Sequence, residues 1–562
     1  MKKKILIIFS VIITMGFQSC ANFLDKAPLG ELSDASFWKS YEDAYRYTAD
    51  MYRWLPSEGV IDNDIQSDDV VHGIKWAEGS KATSGLYDPL SEGWDYGLVR
   101  KTNLFLEKID LVPNVTPEQK NSLIAEARFF RGRFYFEMMR SYGDVPYTDK
   151  TLGVDELLVS RTPIAEVYAK TVADFQFAID NLPTTPSQKG RLTKGAALTQ
   201  LAEMQIYFAG FTKGMGAGLS TYAEAAATSK KIMDLNVYGL WDEGNVKGNY
   251  DELFWEGESD NCKEIILAYQ HDNSNGMETS LLGWGTFPNV GWGGVNPTQS
   301  LVDAFEDSEG ALLKNSKIYD PKQPWKNRDP RFEVDILYHG SMLKKWGGPF
   351  QTIPASKTKL VDGIERPTGI GACGDATATG YNQKKWVDQT IAIDYANGWQ
   401  GSKDHPIWRF AEVLLWFAEA DNEVNGPTEA GLEAINRVRS RVGQPVLQNT
   451  NGALPTYVAT KEAFRERIRN EYRVEMALEG KRYYAIRRWR DEKGDPIALK
   501  VMNEPILGMP YDEKTKTPFV GPNVIIPGRP EMVRFRAHNI FDPIPQKEID
   551  LNKDLKQNPG YE

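Results

Sequence analysis

Several tryptophans of this chain lie in glycine-rich or polar stretches and not in apolar runs. The flat face of an indole ring matches the apolar C–H face of a sugar ring, while carboxylates and amides match its hydroxyl groups. Tryptophans in such loops are therefore suited to binding a saccharide by stacking. The candidates for ligand binding are Asp68, Trp76, Trp94, Trp284, Trp292 and Trp346.

Patterns that mark catalytic or metal sites are absent from the sequence. None of its five histidines belongs to a His-Glu-x-x-His pair, so scattered surface or core imidazoles are the better interpretation. Residues 369–374 fit the glycine spacing of a dinucleotide-binding loop, but they do not join an apolar strand to a helix. We predict no catalytic residue, no metal and no cofactor.

A glycoside hydrolase is the less favoured alternative. Such an enzyme needs only two carboxylates at the right separation, and 77 acidic residues leave that open. A surface scaffold without a small ligand is a third alternative, but it gives no reason for the loop tryptophans.

The first 20 residues have the layout of an exported lipoprotein. Three lysines precede an apolar run from Ile5 to Met15, and the segment Gly16-Phe17-Gln18-Ser19 leads from there to Cys20. We predict a signal peptide over residues 1–19 and lipidation of Cys20; an ordinary secreted protein is the alternative. Because no later apolar run is long enough to span a bilayer, the chain is expected to lie on a membrane through its lipid.

The charge of the chain excludes some partners. The formal net charge is −11, and removal of the three lysines in the predicted signal takes it to −14. Nucleic acid and anionic bilayers are therefore not expected to bind. Cys262 and Cys373 lie too far apart in sequence for a zinc-binding spacing, which leaves either a disulfide or two buried thiols, the thiols being favoured.

Apolar residues at helical spacing, with start and stop signals, predict helices in two parts of the chain. The first predicted helix begins at Thr116-Pro117 and ends at Tyr142, the second begins at Arg161-Thr162-Pro163 and ends before Leu182-Pro183, and the third begins at Thr193. Further helices are predicted over residues 222–235, 406–423, 428–442 and 461–489. Short turns between successive helices favour helix-hairpin repeats.

The segment between these two groups of helices differs in composition. Glycine, tryptophan, proline and asparagine become frequent, and helical periodicity fades. Long loops in a compact domain are usually functional or disordered, and the tryptophan content argues against disorder. We predict helical repeats over about 40–237, a loop-rich insertion over about 238–405, and C-terminal helices with a tail over 406–562.

A succession of short motifs resembles the SusD/RagB family. They are EARFFRG at 126–132, YGDVP at 142–146, RTP at 161–163, GRLTKGAA at 190–197, PT with LVDAFE at 297–306, NRDPR at 327–331, RFAEV at 409–413, INRVRSR at 435–441, EGKR at 479–482 and NPGY at 558–561. Each motif is weakly specific, but their order along residues 20–562 is that of the family.

The resemblance implies a fold, a function and a partner. The implied fold is all-α with tetratricopeptide-like repeats. Members of the family are lipid-anchored at the outer face of the outer membrane in Bacteroidetes, and they are non-catalytic. They capture oligosaccharides, or in some members peptides, for a SusC-like TonB-dependent transporter. No ligand-binding residue can be transferred from the family, because its binding loops vary.

Charged residues within the motifs are interpreted as structural. Glu412 and Glu419 fall outside the apolar stripe of their predicted helix, and we expect them to pair with Arg437 or Arg439. Arginine–glutamate pairs in helical arrays support packing more often than they carry chemistry.

Overall fold

The computed structural model describes residues 37–57, 63–72, 94–241, 243, 250–255, 262–271, 294–342, 358–361, 364–367, 377, 379–387, 402–512, 517–519, 521, 523–525 and 535–561. The α-helices of these residues are α1 (Tyr41–Ala49), α2 (Gly97–Lys108), α3 (Pro117–Tyr142), α4 (Ile164–Asn181), α5 (Lys194–Ala209), α6 (Tyr222–Asp234), α7 (Gln299–Ala304), α8 (Pro330–Asp335), α9 (Phe410–Asn425), α10 (Glu429–Arg441), α11 (Lys461–Glu475), α12 (Arg482–Arg488), α13 (Ala498–Val501) and α14 (Gln546–Leu551). Within the described ranges, no helix has the length and apolarity needed to cross a membrane.

Helices α3 to α6 form the array that the sequence predicts. Thr116 caps α3 by accepting a hydrogen bond from the Gln119 amide at 3.2 Å, and Pro117 occupies the first helical position, where no amide donor is needed. Gly143 ends the helix with φ near +75°, a conformation that other residues rarely adopt. Threonines also cap α5 and α6. We call α3 to α6 the helical array.

Glycines let neighbouring elements of the array approach closely. A Cβ atom on Gly132 of α3 would lie 2.8 Å from the ring of Phe175 in α4. At the start of α5, a Cβ on Gly195 would collide with the hydroxyl oxygen of Tyr238. Each helix of the array packs on the next, and their apolar side chains join one core with those of α9. The predicted all-α fold is confirmed.

The described residues also contain short antiparallel strand pairs. The strands are β1 (Val70–His72), β2 (Ile265–Tyr269), β3 (Val295–Pro297), β4 (Ile336–Leu337), β5 (Thr358–Val361), β6 (Ile364–Pro367), β7 (Asn382–Gln383), β8 (His405–Arg409), β9 (Leu507–Gly508), β10 (Tyr511–Asp512), β11 (Thr517–Pro518) and β12 (Val524–Ile525). In the pair β1–β3, Val70 lies opposite Pro297, and in β2–β8, Ile265 lies opposite Arg409. The second pair joins a strand in the first part of the predicted insertion to the residues at its C-terminal end.

The helix predicted over residues 406–423 begins too early. Residues His405–Arg409 form β8, and α9 starts only at Phe410. The five residues of β8 are all buried, and a buried strand and a buried helix turn have the same apolar signature over so short a run. Because residues 405–409 pair with β2, they form a strand and not the first turn of the helix.

The helix predicted over residues 461–489 is interrupted. It ends at Glu475, and α12 begins at Arg482 after a corner in which Leu478 and Gly480 have positive φ. Distant residues satisfy the carbonyl groups that the interruption exposes. Lys385 Nζ donates to the Ala477 carbonyl at 2.9 Å, and Trp386 Nε1 donates to the Leu478 carbonyl at 3.0 Å.

Ion pairs fill a second buried region, which we call the charged centre. It consists of Glu264, Glu306, Asp329, Arg331, Arg409, Arg439, Arg441, Glu471, Glu475 and Glu479. Arg331 alone donates to Asp329, Glu471 and Glu475 at 2.7, 2.6 and 3.0 Å. These side chains are all almost fully buried, and they join the middle of the chain to α10 and α11.

The partners predicted for the charged motifs are wrong. The pairs in the structure are Glu412 with Lys481, Glu419 with Arg488, Arg437 with Glu243, and Arg439 with Glu306 and Glu471. Helical spacing shows which charges share a face, but not which distant segment packs against that face.

Candidate ligand-binding cleft

A cavity of about 980 Å³ lies between four separate parts of the chain. Asp68 lies in one wall, residues of α7 and the turns after it form a second, α11 and α12 form a third, and residues 497–507 with Asn523 form the fourth. We call this cavity the cleft. Its volume is that of a site for a small molecule or a short oligomer.

The wall from α11 is a polar stripe with helical spacing. Its members lie three or four residues apart and so share one face of the helix: Glu462, Arg465, Glu466, Arg469, Asn470 and Arg473. The opposite face of α11 carries Arg467, Glu471 and Glu475, which are buried. Charged side chains therefore occur on both faces of this helix, and the buried face also carries Phe464 and Ile468.

Asp68 is the predicted ligand-binding residue that the structure places in the cleft wall. Its carboxylate accepts hydrogen bonds from Arg482 Nε at 2.8 Å, Arg482 Nη2 at 2.9 Å and Arg473 Nη2 at 3.1 Å. Burial opposes ionisation of Asp68, but the two guanidinium groups outweigh it and hold its pKa well below the usual range. Asp68 is therefore a charged group of fixed orientation.

A relay of hydrogen bonds orients Asp303 on the α7 wall. The buried Tyr381 hydroxyl donates to Gln299 Oε1 at 2.8 Å, which turns the amide so that Gln299 Nε2 donates to Asp303 Oδ1 at 2.8 Å. The Asp303 side chain is exposed to the cleft, and partial desolvation by the surrounding walls raises its pKa. Its second oxygen, Oδ2, accepts no hydrogen bond from the described part of the chain and can receive a ligand hydroxyl.

Further polar groups of the cleft are also held by neighbours. Ser300 Oγ accepts from Arg473 Nη2 at 3.0 Å, so its own proton can be donated to a ligand. Asn470 Nδ2 donates to the Ala304 carbonyl at 2.9 Å, which leaves the amide oxygen as an acceptor. Tyr319 adds partly exposed aromatic surface to the same cavity.

Arg469 contributes a cation to the α11 wall. Its guanidinium lies 5.4 Å from the ring centroid of Trp489 and donates to the Arg490 carbonyl at 3.1 Å. Burial lowers the pKa of Arg469, although an arginine stays protonated at neutral pH. It has no carboxylate partner within 4 Å in the described residues.

The cleft thus offers donors and acceptors in fixed directions beside apolar surface. A sugar hydroxyl both donates and accepts one hydrogen bond, so alternating acceptors and donors such as Asp303, Ser300 and Asn470 suit a polyol. Within the described ranges, no three His, Cys, Asp or Glu side chains are grouped to hold a metal ion. This arrangement is chemically suited to the recognition of hydroxyl groups.

Trp94 packs at the surface of the core. Its ring lies edge to face with Tyr142 at a centroid distance of 5.0 Å and with Tyr96 at 6.1 Å. It is partly buried just before α2 and does not line the cleft. A ligand-binding role for Trp94 stays a prediction.

The remaining predicted residues lie outside the described part of the chain. These are Cys20, Trp76, Trp284, Trp292 and Trp346, and Cys373 lies outside it as well. Cys262 is a free thiol that is partly buried, and burial raises its pKa.

Sequence reasoning missed Asp303, Ser300 and Asn470 as candidate binding residues. Ser300 and Asp303 stand three residues apart next to an N-capping threonine, which signals a helix with both side chains on one face. That signal predicts the local geometry only. The cavity depends on α11, more than 150 residues later.

Two family models match the chain. Residues 263–561, more than half of the chain, match the model of the SusD family, and residues 75–207 match a model described as starch-binding associating with outer membrane. The fold and the cleft define an all-α protein with a cavity that is lined by oriented polar groups. The chain belongs to the SusD family, which confirms the resemblance drawn from its motifs.

Relatives match along nearly the whole length. A SusD-like protein, P2, from Formosa agariphila is 23% identical and aligns over 98% of this chain and 98% of its own. The crystal structure of a SusD-like protein from Bacteroides fragilis is 27% identical with a TM-score of 0.74, over 95% of this chain and 100% of that one. A SusD-like carbohydrate binding protein from the same species is 26% identical with a TM-score of 0.74, over 92% and 100%.

Proposed function

We propose that this protein is a cell-surface lipoprotein that binds oligosaccharides and delivers them to a SusC-like TonB-dependent transporter in the outer membrane. The observation that carries the proposal is membership of the SusD family. A carbohydrate-binding relative that aligns over 92% of this chain supports the class of ligand, and a family model that names the outer membrane supports the location.

The cleft supports the proposal by its chemistry. Its polar groups are oriented before any ligand arrives, which reduces the entropy lost on binding. The relay from Tyr381 through Gln299 leaves one Asp303 oxygen facing the cavity, and the bond from Arg473 leaves the Ser300 proton available. Binding without bond cleavage is what we propose for this site.

A calorimetric screen of plant, host and microbial oligosaccharides, with peptide mixtures in parallel, tests the ligand class. We expect at least one oligosaccharide to bind and no peptide to compete with it. Asp303→Asn should weaken that binding about ten-fold, because a hydrogen bond to a charged acceptor is replaced by a neutral one. Glu309→Gln, an exposed acid outside the cleft on the same segment, is the matched control and should bind as the wild type does.

The same samples distinguish the alternatives. Peptide binding without saccharide binding would overturn the proposal in favour of a peptide-uptake subunit. Hydrolysis products that accumulate with time would overturn the non-catalytic part of the proposal and favour a glycoside hydrolase.

Lipid anchoring is tested at Cys20. Acyl chains on this residue would hold the protein at the membrane by burying methylene groups, about 0.8 kcal/mol each. We expect Cys20→Ala to release the protein into the soluble fraction of cells that lack the transporter. Retention of the variant in the membrane fraction of those cells would contradict the anchor.

A further inference from the structure

The dipeptide Asp68-Asp69 touches the two walls of the cleft that carry most of its polar groups. The Asp69 carbonyl accepts from the Thr298 amide at 2.8 Å, and the Asp68 carbonyl accepts from Thr298 Oγ1 at 2.7 Å. Thr298 in turn caps α7, the helix that carries Ser300 and Asp303. The main chain of this dipeptide therefore sets the start of the α7 wall.

The side chain of Asp69 acts on the α11 wall. Arg473 Nε donates to Asp69 Oδ1 at 2.7 Å, and Arg473 Nη2 donates to Ser300 Oγ at 3.0 Å. Asp69 is only 1% exposed and does not line the cleft, whereas Arg473, Ser300 and Asp68 do. A ligand in the cleft would meet the groups that Asp69 holds but not Asp69 itself.

Asp64, a further acid, also fixes the segment that contains Asp68 and Asp69. Asp64 accepts from the Gly480 amide at 2.8 Å and from the Arg482 amide at 3.1 Å, at the corner between α11 and α12. Arg482 then donates to Asp68 through its side chain. The segment 64–69 is therefore fixed against α11, α12 and α7 at once.

We infer that Asp69 is a positioning residue for ligand binding: acting through Arg473, it fixes the relative placement of Ser300 and Asp68 in the cleft. This inference rests on the proposed function of the cleft as a saccharide site. Arg473 Nε and Nη2 both donate to Asp69 Oδ1, and such a two-point contact orients a guanidinium group in a way that a single contact cannot. Loss of the Asp69 charge lets Arg473 rotate, and the Ser300 hydroxyl then loses its fixed direction.

The test is a double-mutant cycle on affinity. The probes are hexasaccharides of α-1,4-linked, β-1,3-linked and β-1,4-linked glucose, together with the tightest binder of the oligosaccharide screen. We expect Asp69→Asn to weaken binding about ten-fold while the thermal midpoint moves by a few degrees at most. In an Arg473→Met background the same change should have almost no further effect on affinity, because Asp69 acts through Arg473.

Two further variants sharpen the cycle. Glu243→Gln breaks an exposed two-point pair with Arg437 outside the cleft, and it should leave affinity unchanged. Arg473→Lys keeps the charge but not the two-point geometry, so its affinity should fall between those of the wild type and Arg473→Met. This variant gives a second route to the answer should Asp69→Asn fail to fold.

The outcomes separate the inference from the proposed function. Wild-type affinity in Asp69→Asn overturns the inference, and so does an equal loss with and without Arg473→Met, since Asp69 would then act by another route. In both cases the proposed function stands. A wild-type protein that binds no oligosaccharide overturns the proposed function and the inference together.

Discussion

The helical array buries mainly apolar side chains, with a few ion pairs such as Arg131 with Asp174, whereas the charged centre buries ion pairs throughout. In the array, apolar residues and small residues such as Gly132 interlock between helices that follow one another in the chain. In the charged centre, arginines and carboxylates from segments up to 215 residues apart, Glu264 to Glu479, share hydrogen bonds out of contact with water. The array is held by contacts between sequence neighbours, and the centre by contacts between distant segments.

The helical array and the charged centre are expected to respond differently to a substitution. In the array, the stabilising free energy comes from dispersion contacts and apolar burial that many atoms share. The loss of one contact therefore removes only a small part of it. A buried ion pair is stable only when all of its partners are present, because a single charge left in a dry interior has no compensation. We therefore expect the charged centre to be the more sensitive region, although it contains fewer residues.

The largest effect is expected for Arg409→Met. Arg409 donates to Glu475 Oε1 at 3.0 Å and to Glu479 Oε2 at 2.9 Å, so its removal takes one cationic partner away from each of these buried carboxylates. The free energy of unfolding, measured by chemical denaturation, should fall by about 3–5 kcal/mol. Lys314→Met, which removes an exposed pair with Glu466, should change it by less than about 1 kcal/mol. Equal effects of the two variants would contradict the greater sensitivity that we expect of the charged centre.

A smaller effect is expected for Gly132→Ala in the array. Alanine favours a helix by about 1 kcal/mol over glycine, so an open site would be stabilised. The new Cβ would instead lie 2.8 Å from Phe175, and such overpacking should cost about 1–3 kcal/mol in the free energy of unfolding. Phe175→Leu in the same chain should recover part of the loss. Stabilisation by Gly132→Ala alone would show that α3 and α4 do not pack as closely as the structure has them.

The smallest effect, taken per pH unit, concerns the pH dependence of stability at the border of the charged centre. Burial raises the pKa of Asp335 to about 8, and neither of its carboxylate oxygens accepts a hydrogen bond from the described residues. Between about pH 4 and pH 8 the folded state keeps a proton that the unfolded state releases, so stability falls as pH rises, by up to about 1.4 kcal/mol per pH unit.

Asp335→Asn removes this titration, and the slope of stability against pH should become less negative over that range. Glu433→Gln, an exposed acid on α10, is the control and should leave the slope as it is. The measurement is a series of denaturant titrations from pH 5 to pH 9. An unchanged slope of stability against pH in Asp335→Asn would show that other groups cause the pH dependence.

Helix ends in the array illustrate what local signals predict. The capping box at Thr116 and the positive φ at Gly143 place the ends of α3 where the sequence puts them. The break after Glu475 had no such signal, since residues 461–489 read as one periodic run. Lys385 and Trp386 satisfy the carbonyls at this break, and no pattern near residue 475 reveals them.

The cleft shows the same limit at a functional site. Loop composition singled out Asp68, which the structure places in the wall of the cleft, bound to Arg473 and Arg482. It did not single out Asp303, because an acid in a helical motif is most often a solvated or structural charge. Only packing of α7 against α11 gives that carboxylate a cavity to face.

By itself, the sequence determined the family, the all-α class and the course of the helical array, because caps, turns and apolar spacing act between residues close in the chain. Tertiary structure alone decided the partners in the charged centre, the break between α11 and α12, and the cleft. Each of these joins segments far apart in the chain. Their geometry depends on which faces meet after the chain has folded, and side-chain type and spacing do not specify that.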